Sequence, residues 1–493
     1  MPKNYIISYD FGTSGVKAVV VDTGGSVSGS ATENYRMLSP QLGWAEHDPD
    51  DYWSAVCGAT RAALRTGGVR PESVIGLVFG TMWKCIIPVG KDGRPLCNSI
   101  IWLDGRAGKQ AAQLNERLHT DRFCDKDYIT RLMWLKECRP DIYNAADCIF
   151  EANSYLKFRA TGEKGTDLTN DFFHCLDPDR QAEFDRLTQA AGLDKDKFPP
   201  LVMPWDEVGR LTFAAANELF LCEGTPVFGG CGDIPAITIG SGRSAMYAAH
   251  MYRGSSGWLG VVAPEQYPGV GELYQSLDRG KEIMVYAVQS ACMTFNWAID
   301  QLYHEEKERL GAGIFDFVNQ EIADVPAGSM NLIVTPWLHG ERPPLSEEAK
   351  SVFFNLTNLH TRRHMINAVL EGICYTLRWK IETYEKDTGR RIESVRIVGG
   401  GATSGHWMQV MSDVLGIPVE IPANSRYAGA IGTAYCAFIG LGLCKDFEEA
   451  NRMIGVERSY RPCPDNAPVY QKLYEVFKTL YPALKDAFHK LNS

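Results

Sequence analysis

Residues 10 to 17 read Asp-Phe-Gly-Thr-Ser-Gly-Val-Lys and lie between the apolar runs Tyr5-Ile6-Ile7 and Ala18-Val19-Val20-Val21. The pattern predicts a strand, a glycine turn and a second strand, with an acid near the end of the first strand. An acid placed there can hold a hydrated Mg²⁺, while turn amides, two hydroxyls and Lys17 can face the phosphates of a nucleotide. A P-loop is a different element, because it leads from a strand into a helix and sets its Lys just before a Ser or Thr. The bland alternative is that Gly12 and Gly15 only give an edge hairpin its turn geometry. Recurrence favours the phosphate reading: Gly229-Gly230-Cys231-Gly232-Asp233, Gly254-Ser255-Ser256-Gly257 and Val398-Gly399-Gly400-Gly401-Ala402 follow in order.

A chain of 493 residues exceeds one ordinary core, and about two to three domains are expected. Its formal charge of −10 argues against a nucleic-acid partner, since neutralising phosphates needs a basic surface. No window approaches the roughly 18 apolar residues of a membrane span, and the start carries no basic stretch followed by an apolar one. A soluble cytoplasmic protein is expected. The 14 cysteines are scattered without a C-x-x-C pair, so zinc is not predicted and most read as small buried apolar residues in a reducing compartment. Cys231, two residues before Asp233, is either one of these or a site thiol.

Along the chain, strand signals at 4–9, 16–22 and 27–36 precede a helix-like stretch from Pro49 to Leu64 and a strand over Val74 to Phe79. In the second half Ser255 to Val262 and Ile283 to Val288 read as strands, and 361–386 as a long amphipathic helix ending near Gly389. Ser394 to Val398 then runs as an apolar strand into the Gly399-Gly400-Gly401-Ala402 turn and a helix over 405–416. Two α/β halves with phosphate-facing glycine turns suggest an enzyme that closes a cleft and so keeps water from a nucleotide.

The ordered set Asp10 to Lys17, Trp102-Leu103-Asp104-Gly105-Arg106, Gly232-Asp233, Gly254 to Gly257, His339-Gly340-Glu341-Arg342, Val369-Leu370-Glu371-Gly372 and Gly399 to Trp407 resembles the FGGY carbohydrate kinase family, xylulokinase-like, of the sugar-kinase, Hsp70 and actin superfamily. The resemblance spans nearly the whole chain. It implies an α/β fold of two ribonuclease H-like (actin-like ATPase) domains flanking a nucleotide and sugar cleft. Residues 1–244 would bind sugar and phosphate, 245–465 adenosine, and 466–493 would form a C-terminal helix. The implied reaction is ATP-dependent phosphorylation of a sugar hydroxyl, with Asp233 as general base and Mg²⁺ near Asp10 and Asp233. Phosphate contacts would come from Gly12, Thr13, Ser14, Ser255, Ser256 and Gly257, with Lys17 either among them or a plain surface lysine. Adenosine would lie on Gly400, Gly401, Ala402 and Ser404, although tight helix–strand packing also explains these small residues. For Asp233 the bland reading is a helix cap or a turn aspartate.

The chain departs from the family where the sugar would sit. Gly80-Thr81-Met82-Trp83-Lys84-Cys85 replaces a Gln-Met-His-Gly type run, and Ile234 replaces an amide after the catalytic aspartate. Trp83 can stack on a sugar face and Lys84 can pair with a carboxylate, or one is a core aromatic and the other a solvated lysine. Asp104 and Arg106 fall at the family's substrate spacing, with Asp104 expected to accept from a sugar hydroxyl. The default substrate is a xylulose-like ketose, with a polyol or sugar acid as options. A nucleotide- and sugar-binding sensor with little turnover is the alternative function; a chaperone-type ATPase lacks a substrate module. The resemblance allows a homodimer without fixing one.

Overall fold

The computed structural model describes residues 4–173, 178–254, 257–264, 272–342 and 345–492. Packing divides the chain into two compact units, one of Met1–Gly240 with Gln275–Arg279 and Gly429–Met453, the other of Ser241–Tyr274, Gly280–Ala428 and Ile454–Ser493.

The first unit is built on a six-stranded sheet in the spatial order Glu207–Arg210, Pro226–Gly232, Val74–Thr81, Tyr5–Phe11, Gly15–Asp22, Val27–Asn34. Tyr5–Phe11 runs antiparallel to Gly15–Asp22 and parallel to Val74–Thr81, which is parallel in turn to Pro226–Gly232. Central strands of this kind are covered on both faces, and Ile6, Ile7, Ser8 and Tyr9 are accordingly all buried. Helix Pro49–Gly67 closes one face. Asp48 caps its N-terminus by accepting from Asp50 N, Pro49 opens it, and Gly68 ends it in the left-handed region. Gly29 lets the sheet meet this helix backbone to backbone, since a Cβ there would stand 2.4 Å from Ala63 O.

The sequence places the helix Ala428–Gly440 with the second half, but its body packs in the first unit. Ser8 Oγ donates to Ala430 O at 2.6 Å. A Cβ on Gly432 would stand 1.8 Å from Ala236 O, so this helix and Asp233–Gly240 are in direct backbone contact.

The second unit repeats the arrangement. Its seven-stranded sheet runs Glu272–Gln275, Lys281–Val288, Gly257–Pro264, Ala249–Arg253, Val395–Val398, Val419–Pro422, Val456–Tyr460. Ala249–Arg253 is antiparallel to Gly257–Pro264 and parallel to Val395–Val398, as Tyr5–Phe11 is to its two neighbours. Helix Arg362–Thr388 ends at Gly389 in the left-handed region, where the sequence predicts its end. Tyr375 on this helix meets Phe477 of the C-terminal helix Ala467–Asn492 with ring centroids 5.4 Å apart. Among the described residues no helix is long and apolar enough to cross a membrane.

Candidate active site

In the first unit, three parallel strands end level with one another. Register pairs Phe11 with Thr81 and Thr81 with Gly232, so Asp10, the Thr81-Met82-Trp83 turn and Asp233 meet at one sheet edge. The carboxyl ends of parallel strands are where α/β sheets bind ligands.

Asp10 accepts from Lys17 Nζ at 2.9 Å across the hairpin, so Lys17 is turned toward the acid and is not a plain surface lysine. A Cβ on Gly429 would lie 3.0 Å from Asp10 Cγ, so a glycine is what lets the start of helix Ala428–Gly440 approach this carboxylate. The turn itself is braced. Gly12 N donates to Gly15 O at 3.0 Å, and a Cβ on Gly15 would stand 2.5 Å from Glu33 O. Trp102 Nε1 donates to Thr13 Oγ1 at 2.9 Å, Tyr35 OH donates to Gly12 O, and Tyr35 N donates to Ser14 O at 3.3 Å. The Thr13 hydroxyl proton is thus left to donate elsewhere.

Asp233 begins helix Asp233–Gly240 directly after strand Pro226–Gly232. Its Oδ1 accepts from Ile234 N at 2.9 Å. Removal from water, with the Asp10 carboxylate adding to it, pushes its carboxyl up to about 7. The preceding glycines do not form the phosphate turn their sequence suggests. The strand register shifts between Phe228 and Cys231, and Cβ atoms on Gly229 and Gly230 would stand 2.2 Å from Met203 O and 2.1 Å from Phe79 O. They form a bulge that re-aims the strand end and hence Asp233. Cys231 is fully buried and burial raises its thiol, so it is a core cysteine and not a site thiol.

Trp83 lies flush on Gly232, where any Cβ would overlap the indole Nε1, so its ring adjoins the Asp233 backbone. Lys84 has a left-handed backbone and an Nζ 3.7 Å from Asp127 Oδ1, so its charge already has a partner. Asp104 and Arg106 are built into one buried brace. Asp104 is fully buried and accepts from Ala45 N, from Arg106 N and Nε, and from Arg106 Nη2 at 2.6, 3.0, 2.7 and 2.7 Å. Arg106 also donates to Glu46 at 2.6 Å and lies over Trp44 at 3.6 Å. The four acceptor positions of Asp104 are thus all filled from within the protein, whereas Nη1 of Arg106 makes none of these bonds.

Sequence reasoning missed the support of the Asp233 strand. Thr169 Oγ1 accepts from Gly232 N at 2.7 Å and donates to Asp167, while Lys157 Nζ donates to Gly229 O at 2.8 Å. Burial lowers Lys157 to about 8 and raises Asp167. The one available signal was the Asp167-Leu168-Thr169-Asn170 run, a typical side-chain-to-backbone turn sequence.

In the second unit Ser255 and Ser256 lie outside the described residues. Gly257 opens the returning strand, paired with Arg253. Gly399 has φ +99, and a Cβ there would stand 2.5 Å from Arg253 O. Gly400 faces open space, whereas Gly401 faces Cys292 and Arg253, and Ala402 is buried. Ser404 caps helix Gly405–Leu415 by accepting from Trp407 N, and it donates to Asn319 at 2.7 Å. Its hydroxyl proton is therefore committed within the protein.

No group of three or more His, Cys, Asp or Glu among the described residues could hold a metal by itself. Asp10 and Asp233 offer carboxylate oxygens at one sheet end, with the Asp10 charge acting on Asp233, a donor set that suits Mg²⁺, which takes one or two carboxylates and completes its shell with phosphates and water.

The N-terminal domain model of the FGGY family of carbohydrate kinases matches residues 5–240, and the C-terminal domain model matches 250–441. A xylulose kinase of Bacillus subtilis is 25% identical over 502 residues, covering 99% of either chain. An L-xylulose/3-keto-L-gulonate kinase of Escherichia coli is 28% identical over 508 residues, covering 98% of either chain. The ligand-bound xylulose kinase of Lactobacillus acidophilus shares the fold, with a TM-score of 0.84 at 23% identity over 99% of this chain and 100% of that one. With both domain models matched in order across a two-unit α/β fold, this chain belongs to the FGGY family of carbohydrate kinases and is a sugar-phosphorylating enzyme.

Proposed function

We propose that the protein transfers the γ-phosphoryl group of MgATP to a hydroxyl of a xylulose-like ketose or a related sugar acid, with Asp233 as general base. The observation that carries this reading is a carboxyl pushed up to about 7 at the end of a parallel sheet. A base with this pKa is ionised near neutral pH and still basic enough to take a hydroxyl proton. Trp83 would form the apolar wall against which the sugar ring lies, and its contact with Gly232 fixes that wall relative to Asp233.

Asp10 and Asp233 would hold Mg²⁺, which supplies charge neutralisation on the phosphates. The turn Gly12-Thr13-Ser14 would orient the phosphates through its amides and the Thr13 proton, and Lys17 would exchange part of its pairing with Asp10 for a phosphate oxygen. Gly257, Gly400, Gly401 and Ala402 would receive the nucleotide in the second domain. Residues 1–244 would thus carry sugar and phosphate and 245–465 the adenosine, with the body of helix Ala428–Gly440 joined to the first group.

The test is ATP-dependent ADP release across ketoses, polyols and sugar acids, with the wild type beside Asp233→Ala. Sugar-stimulated release lost in the variant supports the reading. Release that no sugar stimulates, or that survives the substitution, removes Asp233 as the base.

A further inference from the structure

Arg253 ends the strand Ala249–Arg253 and immediately precedes the Gly254 to Gly257 turn. Only 1% of it is exposed, and none of its three side-chain nitrogens reaches an oxygen or nitrogen acceptor among the described residues, the Cys292 thiol being the polar group at its side. Its guanidinium lies over the Trp407 indole at 3.1 Å, beside the Cys292 thiol. The groups acting on its charge among the described residues are the Cys292 and Cys374 thiols, and no carboxylate is among them. A buried cation without an anion is a costly arrangement, since buried charges are normally paired.

The surroundings indicate where an anion would come from. A Cβ on Gly401 would stand 3.4 Å from Arg253 Cβ and 3.6 Å from its Nε, while the adjacent Gly400 has open space where its Cβ would be. The Nε of Arg253 therefore lies against Gly401, next to Gly400, where the loop is open. The first unit offers an internal contrast: counting back from the Gly-x-x-Gly turn, the position of Arg253 is held there by the apolar Phe11.

We propose that Arg253 is a specificity residue which, through the glycine loop, favours nucleotides bearing a polyphosphate over the bare nucleoside. This rests on the nucleotide reading of that loop given above. In a dry, low-dielectric setting a charge acts across a peptide layer far more strongly than it would through water.

The experiment is calorimetric titration of ADP and of adenosine into wild type, Arg253→Leu and Arg253→Lys, with Tm recorded for each. Arg253→Leu is expected to weaken ADP about tenfold or more, to leave adenosine affinity unchanged, and to keep or raise Tm. Arg253→Lys is expected to hold ADP affinity close to that of the wild type. Equal weakening of both ligands would make Arg253 a structural support of the loop and overturn the proposal, as would no change in either. Should Arg253→Leu fail to fold, Arg253→Gln enters the same comparison. Wild-type protein that binds no ADP would instead overturn the nucleotide reading and this inference with it.

Discussion

The two sheets share one order over six strands, the second adding Glu272–Gln275 at its edge, and in each the first strand is followed by a Gly-x-x-Gly sequence and an antiparallel partner. In the first unit the strand carries Asp10 one residue before its end, with the carboxylate partly exposed and paired with Lys17. In the second, Tyr252 stands at the position of Asp10 and Arg253 at that of Phe11, so the charge near the turn is cationic, buried and, among the described residues, without an anion. One backbone pattern thus frames two electrostatic environments, one suited to a metal-bound phosphate and one to the phosphate charge itself. The backbone fixes where a ligand meets the sheet, and a few side chains fix what it must carry.

The sharpest way to break this comparison is at Asp233, which has no acidic counterpart at the matching strand end of the second unit, where Pro422 leads into Ala423 and Asn424. Asp233→Asn is expected to lower kcat by about 10³ or more while raising Tm at pH 8, measured by steady-state kinetics and thermal melting. The carboxyl sits at about 7 when folded against an ordinary 3.8, so the folded state holds its proton to higher pH than the unfolded chain. The stability it contributes is full below the ordinary carboxylate range and is lost as pH rises through about 7. At pH 8 the amide removes that loss, about 2 kcal/mol or more. For the wild type, kcat/KM for the sugar should fall below an apparent pKa near 7, read from a pH profile. A profile flat down to pH 5 would remove the base assignment.

At Asp104, Asp104→Asn removes one of the two carboxylates paired with the buried Arg106, leaving Glu46, and should cost about 3 kcal/mol by denaturant unfolding. Sugar KM should change little in protein that remains folded. A large KM effect without loss of stability would restore Asp104 to the sugar contact that its spacing suggests.

Two adjacent glycines separate packing from binding in the second unit. Gly399→Ala forces a Cβ to 2.5 Å from Arg253 O at φ +99, which should cost about 2 kcal/mol or more. Gly400→Ala meets nothing within 4 Å and should stay within about 0.5 kcal/mol of wild type, so any loss of ADP affinity there reports the ligand. The smallest effect is expected at Lys84→Ala. Its pairing with Asp127 is partly exposed, so Tm should barely move, and a strong rise in KM confined to sugar acids would identify Lys84 as their partner.

Much of the fold was legible because it is local. Alternating strands around Gly12 and Gly15, the capped helix from Pro49 and the long helix ending at Gly389 each follow from patterns a few residues wide. The site was less so. Asp104 and Arg106 stand two residues apart, and nothing in the spacing says that each satisfies the other. Gly229 and Gly230 read as a phosphate turn because a bulge inside a sheet and a turn at its edge both call for glycine. The support from Lys157, Thr169 and Asp167 is invisible in sequence, since those side chains reach strand 226–232 from some sixty or seventy residues earlier.

The sequence by itself determined the two α/β halves, the hairpin turn with its acid and the family, because strand period, glycine placement and motif order are written along the chain. Only the tertiary structure decided that the body of helix Ala428–Gly440 joins the first unit, that Asp10 lies close enough to act on Asp233, and that Arg253 is buried without an anion among the described residues. Each of these depends on which distant segments pack together, and burial is what turns an ordinary carboxyl or guanidinium into one with an altered affinity for a proton or a phosphate.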